Sequence, residues 1–449
     1  MKALRYIFLI SLFLGTAGGG VLFAQDDARM TERTIMGTAR YVGFGGAMSA
    51  IGGDPSAVRD NPAGLGLYRR TELMVTLDYA LDRTHQTGTS TKYQRHLVMA
   101  PEASLVISMP VYQSDEKGVL SHNFMLSYHR LQSYGRSIYA TAEHENSLGA
   151  VFATASGHMK TDYCTDRKVQ ANALGLTESG YANEYAIDWA LNISNKVYTG
   201  LGLRVQSYRL TSEGDFLETF EQTNAAGTHY SNRNQTSLIL SGVSCNVSAG
   251  LIYRPTSWLR IGFGLQTPSL SALHTGASGT FTAQMDTVGK SVIVYEGGSR
   301  SDFHQPLHTS ASVAFQVGYY GLLAFQYDYY HQSGKLDIHS LRAGLEVIPV
   351  PGMYINAGYV YESTFKKQET YPVVPIADAL DRYDAYFVHP RWSQYASVAL
   401  GYRGRSAIVQ AAYQYRWQRL NVYAHQDANP YDIATETHRV VVTIGWHRY

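Results

Sequence analysis

The sequence predicts an all-β chain: a 14-stranded antiparallel transmembrane β-barrel whose lumen holds an N-terminal plug (hatch) of short helices and turns. Three observations predict it. From about residue 72 to the end, apolar and polar residues alternate with period two. Aromatic residues crowd the ends of the apolar rows. Short joints and long joints alternate along the chain.

In chain order, residues 1–24 read as a secretory signal. Lys2 and Arg5 form the basic start, Tyr6 to Leu14 the apolar run, and Ala24 the small residue before Gln25. The apolar run is too short to cross a bilayer as a helix. The predicted organisation is a signal peptide over 1–24, a hatch over 25–71 and a barrel with long extracellular loops over 72–449. It implies export and a place in a bacterial outer membrane.

The 37 basic and 36 acidic residues balance, which argues against a nucleic-acid partner. Cys164 and Cys245 are too few for a disulfide framework and lack metal-type spacing. The strand reading puts Cys245 on a lipid-facing row and Cys164 in a loop, so they read as unpaired thiols. The composition is unusual in its 35 Tyr and 41 Gly, few Pro and only 16% charged residues.

The alternation is clear in Trp258–Gln266, where Leu259, Ile261, Phe263 and Leu265 oppose Arg260, Gly262, Gly264 and Gln266. Tyr185–Ile193 and Ser406–Arg416 repeat it. One face is almost free of charge. The other collects Asp78, Asp188, Arg204, Arg260, Asp328, Arg342, Glu346, Glu362 and Arg416. A soluble sandwich also alternates. The aromatic residues at the row ends (Tyr79, Tyr253, Tyr327, Tyr329, Tyr359, Tyr361, Tyr413, Tyr415 and Trp417) add the interfacial girdles of a membrane barrel.

Fourteen strand-like runs lie near 72–82, 100–112, 118–131, 184–194, 197–210, 236–253, 257–267, 307–317, 321–330, 340–348, 353–362, 392–402, 405–417 and 437–449. Tight turns are expected at Ser194–Lys196, Arg254–Thr256, Gly318–Tyr320, Pro349–Gly352 and Arg403–Gly404. Long loops are expected near 132–183, 211–235, 268–306, 363–391 and 418–436.

Fourteen strands leave an open lumen, and the segment before them is suited to fill it. It carries Gly45, Gly46, Gly52 and Gly53, which let backbones pack closely. Asp54-Pro55 is an N-cap and first-turn pair for a short helix, and Asn61-Pro62 stops that helix. Hatch charges Arg40, Asp54, Arg59, Asp60, Arg69 and Arg70 are expected to pair with lumen charges.

The stretch GFGGAMSAIGGDPSAVRDNPAGLG, Gly43 to Gly66, with its Asn61-Pro62-Ala63, resembles the FadL/TodX-type outer-membrane transporters of hydrophobic compounds, in the branch found in Bacteroidetes-type bacteria. The resemblance extends over the mature chain in architecture and over residues 39–70 in motif. It implies passive diffusion of a hydrophobic, long-chain fatty-acid-like molecule. The molecule would be captured at extracellular loops, bound inside the barrel and released by hatch rearrangement and a lateral wall opening. Asn61, Pro62 and Ala63 would hold the hatch fold.

Met36, Tyr41, Phe44, Met48 and Ile51 are candidates to face an apolar ligand; packing against the wall is the alternative. Arg204, Arg260 and Arg416 are candidates for a carboxylate head, which arginine binds in bidentate fashion. Expected partners are this ligand, membrane lipid and lipopolysaccharide, and the barrel-assembly machinery during biogenesis; the resemblance suggests a monomer.

No cofactor, metal or enzymatic activity is expected. Gly43-Phe44-Gly45-Gly46 fails as a dinucleotide fingerprint because no strand precedes it, and His144 and His158 lack a ligand cluster. The alternatives are a secretion-associated or structural barrel and a haem or polar-solute channel.

Overall fold

A computed structural model describes residues 30–89, 92–111, 117–142, 169–220, 230–285, 289–301, 303–332, 336–366, 387–423 and 429–448. The predicted signal segment, Cys164, His144 and His158 lie outside these residues.

Alternation builds a closed wall. On β5 (Val169–Ile193), Ile187 is 56% exposed and its neighbour Asp188 is 0% exposed. Apolar side chains therefore face outward and polar ones inward, the inverse of a soluble barrel and what a lipid surround requires. β1 (Thr71–Gln86) pairs antiparallel with both β2 (Tyr93–Pro110) and β17 (Tyr431–Arg448) and closes the sheet. Closure joins the first strand to the last, so that over most of the wall the strand backbones satisfy one another without water.

Among the described residues, seventeen strand segments make up the sheet. Three of its staves are broken. β3 (Val119–Ser133) and β4 (Arg136–Ala142) both pair with β5. β8 (Leu259–Gln266) and β9 (Leu270–Met285) both pair with β7 (Tyr230–Tyr253). β10 (Gly289–Ser301) pairs with β9, and β11 (Leu307–Val317) with β8. Counting each broken stave once gives the fourteen predicted. The others are β6 (Val197–Phe220), β12 (Gly321–Gln332), β13 (Leu336–Val347), β14 (Met353–Lys366), β15 (Phe387–Arg403) and β16 (Ala407–Tyr423).

The five tight turns fall where predicted. At the first, Ser194 and Asn195 both take positive φ, 55° and 54°, the geometry of a two-residue hairpin turn. The expected long loops are corrected. Much of 132–183, 211–235 and 268–306 is strand, because β4 to β7, β9 and β10 run on beyond the apolar band. There the wall meets water on its outside, so the outward residues need not be apolar and the period-two signal fades.

The outward face carries the expected girdle; Tyr79, Tyr253, Tyr359 and Tyr413 are 41–47% exposed. Cys245 is free and partly exposed on an outward position of β7. Inside lie two short α-helices, α1 (Ala39–Gly43) and α2 (Pro55–Asp60), and a 3-10 helix (Pro62–Leu67). Each is capped by its own sequence: Thr38 Oγ1 accepts from Tyr41 N, Asp54 from Ser56 N and Asn61 Oδ1 from Ala63 N.

Candidate functional site: a docked hatch beside a window in the wall

The hatch is seated by shape first. Asn61 Nδ2 donates to Ser49 O at 2.9 Å within the hatch and to Leu251 O of β7 at 3.3 Å. Pro62 and Ala63 lie directly on Gly200 of β6 and Gly250 of β7. A Cβ at 250 would stand 2.0 Å from Asn61 Oδ1, and one at 200 would stand 2.4 Å from the Pro62 carbonyl carbon. The Asn-Pro-Ala segment thus fits only a wall whose residues have no side chain there. Gly45, Gly46, Gly52 and Gly53 take φ of 61–70°, the left-handed region that turns the hatch back on itself.

Charge fixes it second. Arg40 holds Glu346 of β13 in bidentate fashion at 2.8 and 3.0 Å. Asp60 accepts from Arg342 Nη1 at 3.0 Å and from Tyr41 OH at 2.6 Å. Burial raises the Asp60 carboxyl, but the Arg342 and Arg59 guanidiniums outweigh it and hold it at about 2. Glu32 pairs with Arg136 at 2.8 Å and Arg416 at 3.0 Å; here too burial raises the carboxyl and the two guanidiniums outweigh it, at about 2. Asp54 goes the other way, because its burial exceeds the pull of Arg40. The predicted pairing is therefore partial: Arg40 and Asp60 reach lumen charges, Asp54 bonds Thr38 within the hatch, and Arg69 bonds Asn195 at 3.3 Å.

Among the described residues the wall is incomplete beside the hatch. β2 pairs with β3 only from Pro110↔Ser121 to Glu102↔His129. Beyond that, β2 keeps β1 as its partner, with a register shift opposite Thr76 and Asp78. Pro101 lies at this shift and has no N–H to extend a ladder. β3 breaks at Tyr134-Gly135, and β4 pairs with β5 alone among the described residues. Above, the Gln86 side chain of β1 mimics a strand partner for β4: Nε2 donates to Thr141 O at 2.7 Å and Oε1 accepts from Thr141 N at 2.8 Å. The result is a framed window between β2 and β4.

A cavity of about 180 Å³ runs from the window to the hatch. Met36, Ala80, Leu97 and Met99 give it apolar surface; Arg95, Arg136, Arg416 and Arg439 give it guanidiniums. Arg95 blocks the window: a Cβ at residue 135 would stand 0.9 Å from its Nη1, which is buried without a hydrogen-bond partner.

Of the residues singled out for ligand contact, Met36 and Arg416 line this cavity. Tyr41, Phe44, Met48 and Ile51, 0–4% exposed, pack in a cluster with Ala314, Ala324 and Val360 of the wall. Arg204 donates to Asp188, Glu184, Ser248 and the Val58 carbonyl, and Arg260 to the Ile51 carbonyl. Both therefore hold the hatch. Glu32, Arg95, Pro101 and Gly135 were not singled out by sequence. A proline inside a strand-like run was the available signal for the window.

No family model matches the sequence, and no curated protein matches it. Solved structures do match in shape. A FadL homologue of Pseudomonas aeruginosa superposes with a TM-score of 0.58 at 13% identity, over 92% of this chain and 99% of that one. This is the FadL/TodX fold. The Pseudomonas putida toluene transporter TodX follows at 0.56 and 14% identity, over 92% and 99%. The monoaromatic hydrocarbon channel CymD gives 0.54 at 11%, over 93% and 99%. Within the FadL/TodX fold, this chain combines a hatch locked by glycine recesses and ion pairs with a window on one side.

Proposed function

We propose that the protein carries hydrophobic small molecules, of long-chain fatty-acid type, passively across a bacterial outer membrane. The molecule enters at the long-loop end, rests beside the hatch and leaves sideways through the window into the lipid belt as hatch and wall rearrange. The observation that carries this reading is the window itself, joined by a cavity to the hatch. A wall gap facing lipid serves a solute that dissolves in lipid; for a polar solute it would be a leak to nowhere.

The lining supports an amphiphile: Met36 and its apolar neighbours suit a chain of variable shape, and Arg416 with the other guanidiniums suits an acidic head. Asn61, Pro62 and Ala63 hold the hatch, and the glycines shape it. The likeness in fold to a FadL homologue and to hydrocarbon channels supports the same reading. A monomer suffices, because one barrel contains hatch, cavity and window.

The test is mass spectrometry of small molecules released from the detergent-purified barrel, beside a barrel lacking Gln25 to Tyr68. A long-chain amphiphile carried only by the full chain, with steady ion conduction by the shortened one, is the expected result. Bulk lipid alone in both samples, or a shortened barrel that stays closed, would overturn it.

A further inference from the structure

Above the apolar band, the outer face of β17–β1–β2 carries an arrangement that the transport reading leaves unused. Leu81 of β1 stands opposite His438 of β17 on one side and His96 of β2 on the other. The two imidazoles therefore share one row, two strand spacings or about 10 Å apart. Each is held by a girdle tyrosine: Tyr79 OH lies 2.7 Å from His96 Nδ1, and Tyr413 OH lies 2.8 Å from His438 Nδ1. With the phenol as donor, Nδ1 accepts, the ring proton sits on Nε2, and both rings present an N–H outward.

Two residues further along β1, on the same outward row, stands Arg83. It has no carboxylate partner among the described residues, and its Nε is buried without a hydrogen bond. Lys92 is exposed just beyond β2. The carboxylate on this face is Glu436, opposite Arg83 in register. The apolar side chains directly below, Leu77, Val98 and Val440, are 47–75% exposed. Basic donors thus cap an apolar strip at the level the aromatic girdle assigns to headgroups.

We propose that this face binds the phosphate-bearing headgroup of an outer-leaflet glycolipid, with its acyl chains on the strip below. Arg83 and the two Nε2–H groups contact the phosphate. Charge complementarity selects this occupant, since Arg83 and Lys92 together outweigh Glu436 on this face. The inference rests on the barrel standing in an outer membrane with its long-loop end outward. The same tyrosine–histidine device recurs at Tyr327 and His339, at 2.6 Å, but there Asp337 bonds the adjacent Tyr329 at 3.0 Å. That copy keeps the carboxylate, Asp337 in the place of Glu436, but has Phe365 where this face has Arg83, and it serves as the internal control.

The experiment uses the full chain purified from outer membranes in mild detergent, with bound lipid counted by native mass spectrometry. Samples are the wild type, the triple variant Arg83→Gln, His96→Gln, His438→Gln, the single variant Arg83→Gln, and His339→Gln. Purified lipopolysaccharide, its dephosphorylated form and inorganic phosphate are the probes. The expected result is retained lipopolysaccharide on the wild type and on His339→Gln. The apparent affinity should fall about tenfold or more in the triple variant and partway in the single one, the scale of losing one to two basic contacts. Equal retention by the triple variant, equal binding of the dephosphorylated lipid, or protection by inorganic phosphate alone would overturn the proposal. Heat-modifiable gel mobility reports whether each variant remains a barrel; loss of it in the triple variant transfers the test to Arg83→Gln. Failure of the wild type to enter outer membranes would instead overturn the membrane reading.

Discussion

Glu102 and His129 are the last residues paired between β2 and β3, and the same Glu102 carboxylate accepts a hydrogen bond from Ser56 on hatch helix α2. His129 Nδ1 lies 3.7 Å from Glu102 Oε2. The lower edge of the window and the hatch thus share one buried carboxylate. Ser56→Ala removes the donor and leaves Glu102 less satisfied, at a cost of about 1–3 kcal/mol. In planar bilayers this variant should show more frequent transient openings than the wild type. Unchanged gating would uncouple hatch from window.

Gln86 holds the upper edge by standing in for a strand. Gln86→Ala removes both bonds to Thr141 and frees β4 on its β1 side, with a loss of about 1–3 kcal/mol. Hydrogen exchange at β4 amides should speed up while β5–β6 amides, deep in the ladder, stay protected. Equal protection of β4 would mean that this contact does not frame the window.

Gly250→Leu tests whether shape or charge seats the hatch. Any Cβ there overlaps Asn61 Oδ1, and overpacking of this kind costs about 1–3 kcal/mol. Steady ion conduction through an intact barrel is the expected outcome; a closed, fully folded channel would assign the seating to the ion pairs instead.

Arg342 connects Asp60 of the hatch with Asp328 of β12, at 3.0 and 2.9 Å. Arg342→Ala leaves two buried carboxylates facing each other, a loss of about 3–5 kcal/mol. Asp60→Asn in the same chain should recover part of it. Thermal unfolding followed by heat-modifiable mobility reads both; a fully additive pair would place the residues in separate networks.

Acid should not release the hatch. Asp60 and Glu32 are depressed to about 2, so the docking they contribute is complete above the ordinary carboxylate range and is lost only as pH falls through about 2. Asp54 is raised, so protonating it favours the docked form. Conductance traces at pH 7 and pH 5 should match, and opening at pH 5 would refute the assignment.

What the sequence made legible follows what lipid enforces. Ile187 beside Asp188, the Ser194–Lys196 turn and the Asp54-Pro55 cap were all readable, because each rests on a local rule. Leu270–Met285 was not, since a strand standing outside the apolar belt has no need to alternate. Arg204 was readable as a lumen arginine but not as one enclosed by Glu184 and Asp188; that depends on register across β5 and β6. Glu32 lies upstream of the glycine-rich stretch and has no local signature. Its importance comes from Arg136 and Arg416, which are distant in sequence. Pro101 was the missed clue, a residue that cannot donate sitting in a strand where donation was assumed.

The length of β6 has a consequence for where a solute first meets the protein. Its 24 residues span roughly 80 Å along the strand, or roughly 60 Å of height at a usual barrel tilt, against an apolar belt of about 25 Å. Because the Ser194–Lys196 turn keeps the other end short, most of the surplus stands on one side as a chimney. In the proposed orientation its rim stands well above the headgroups of the outer leaflet. An oily molecule would then enter a walled shaft well above the charged headgroups and be spared a passage through them.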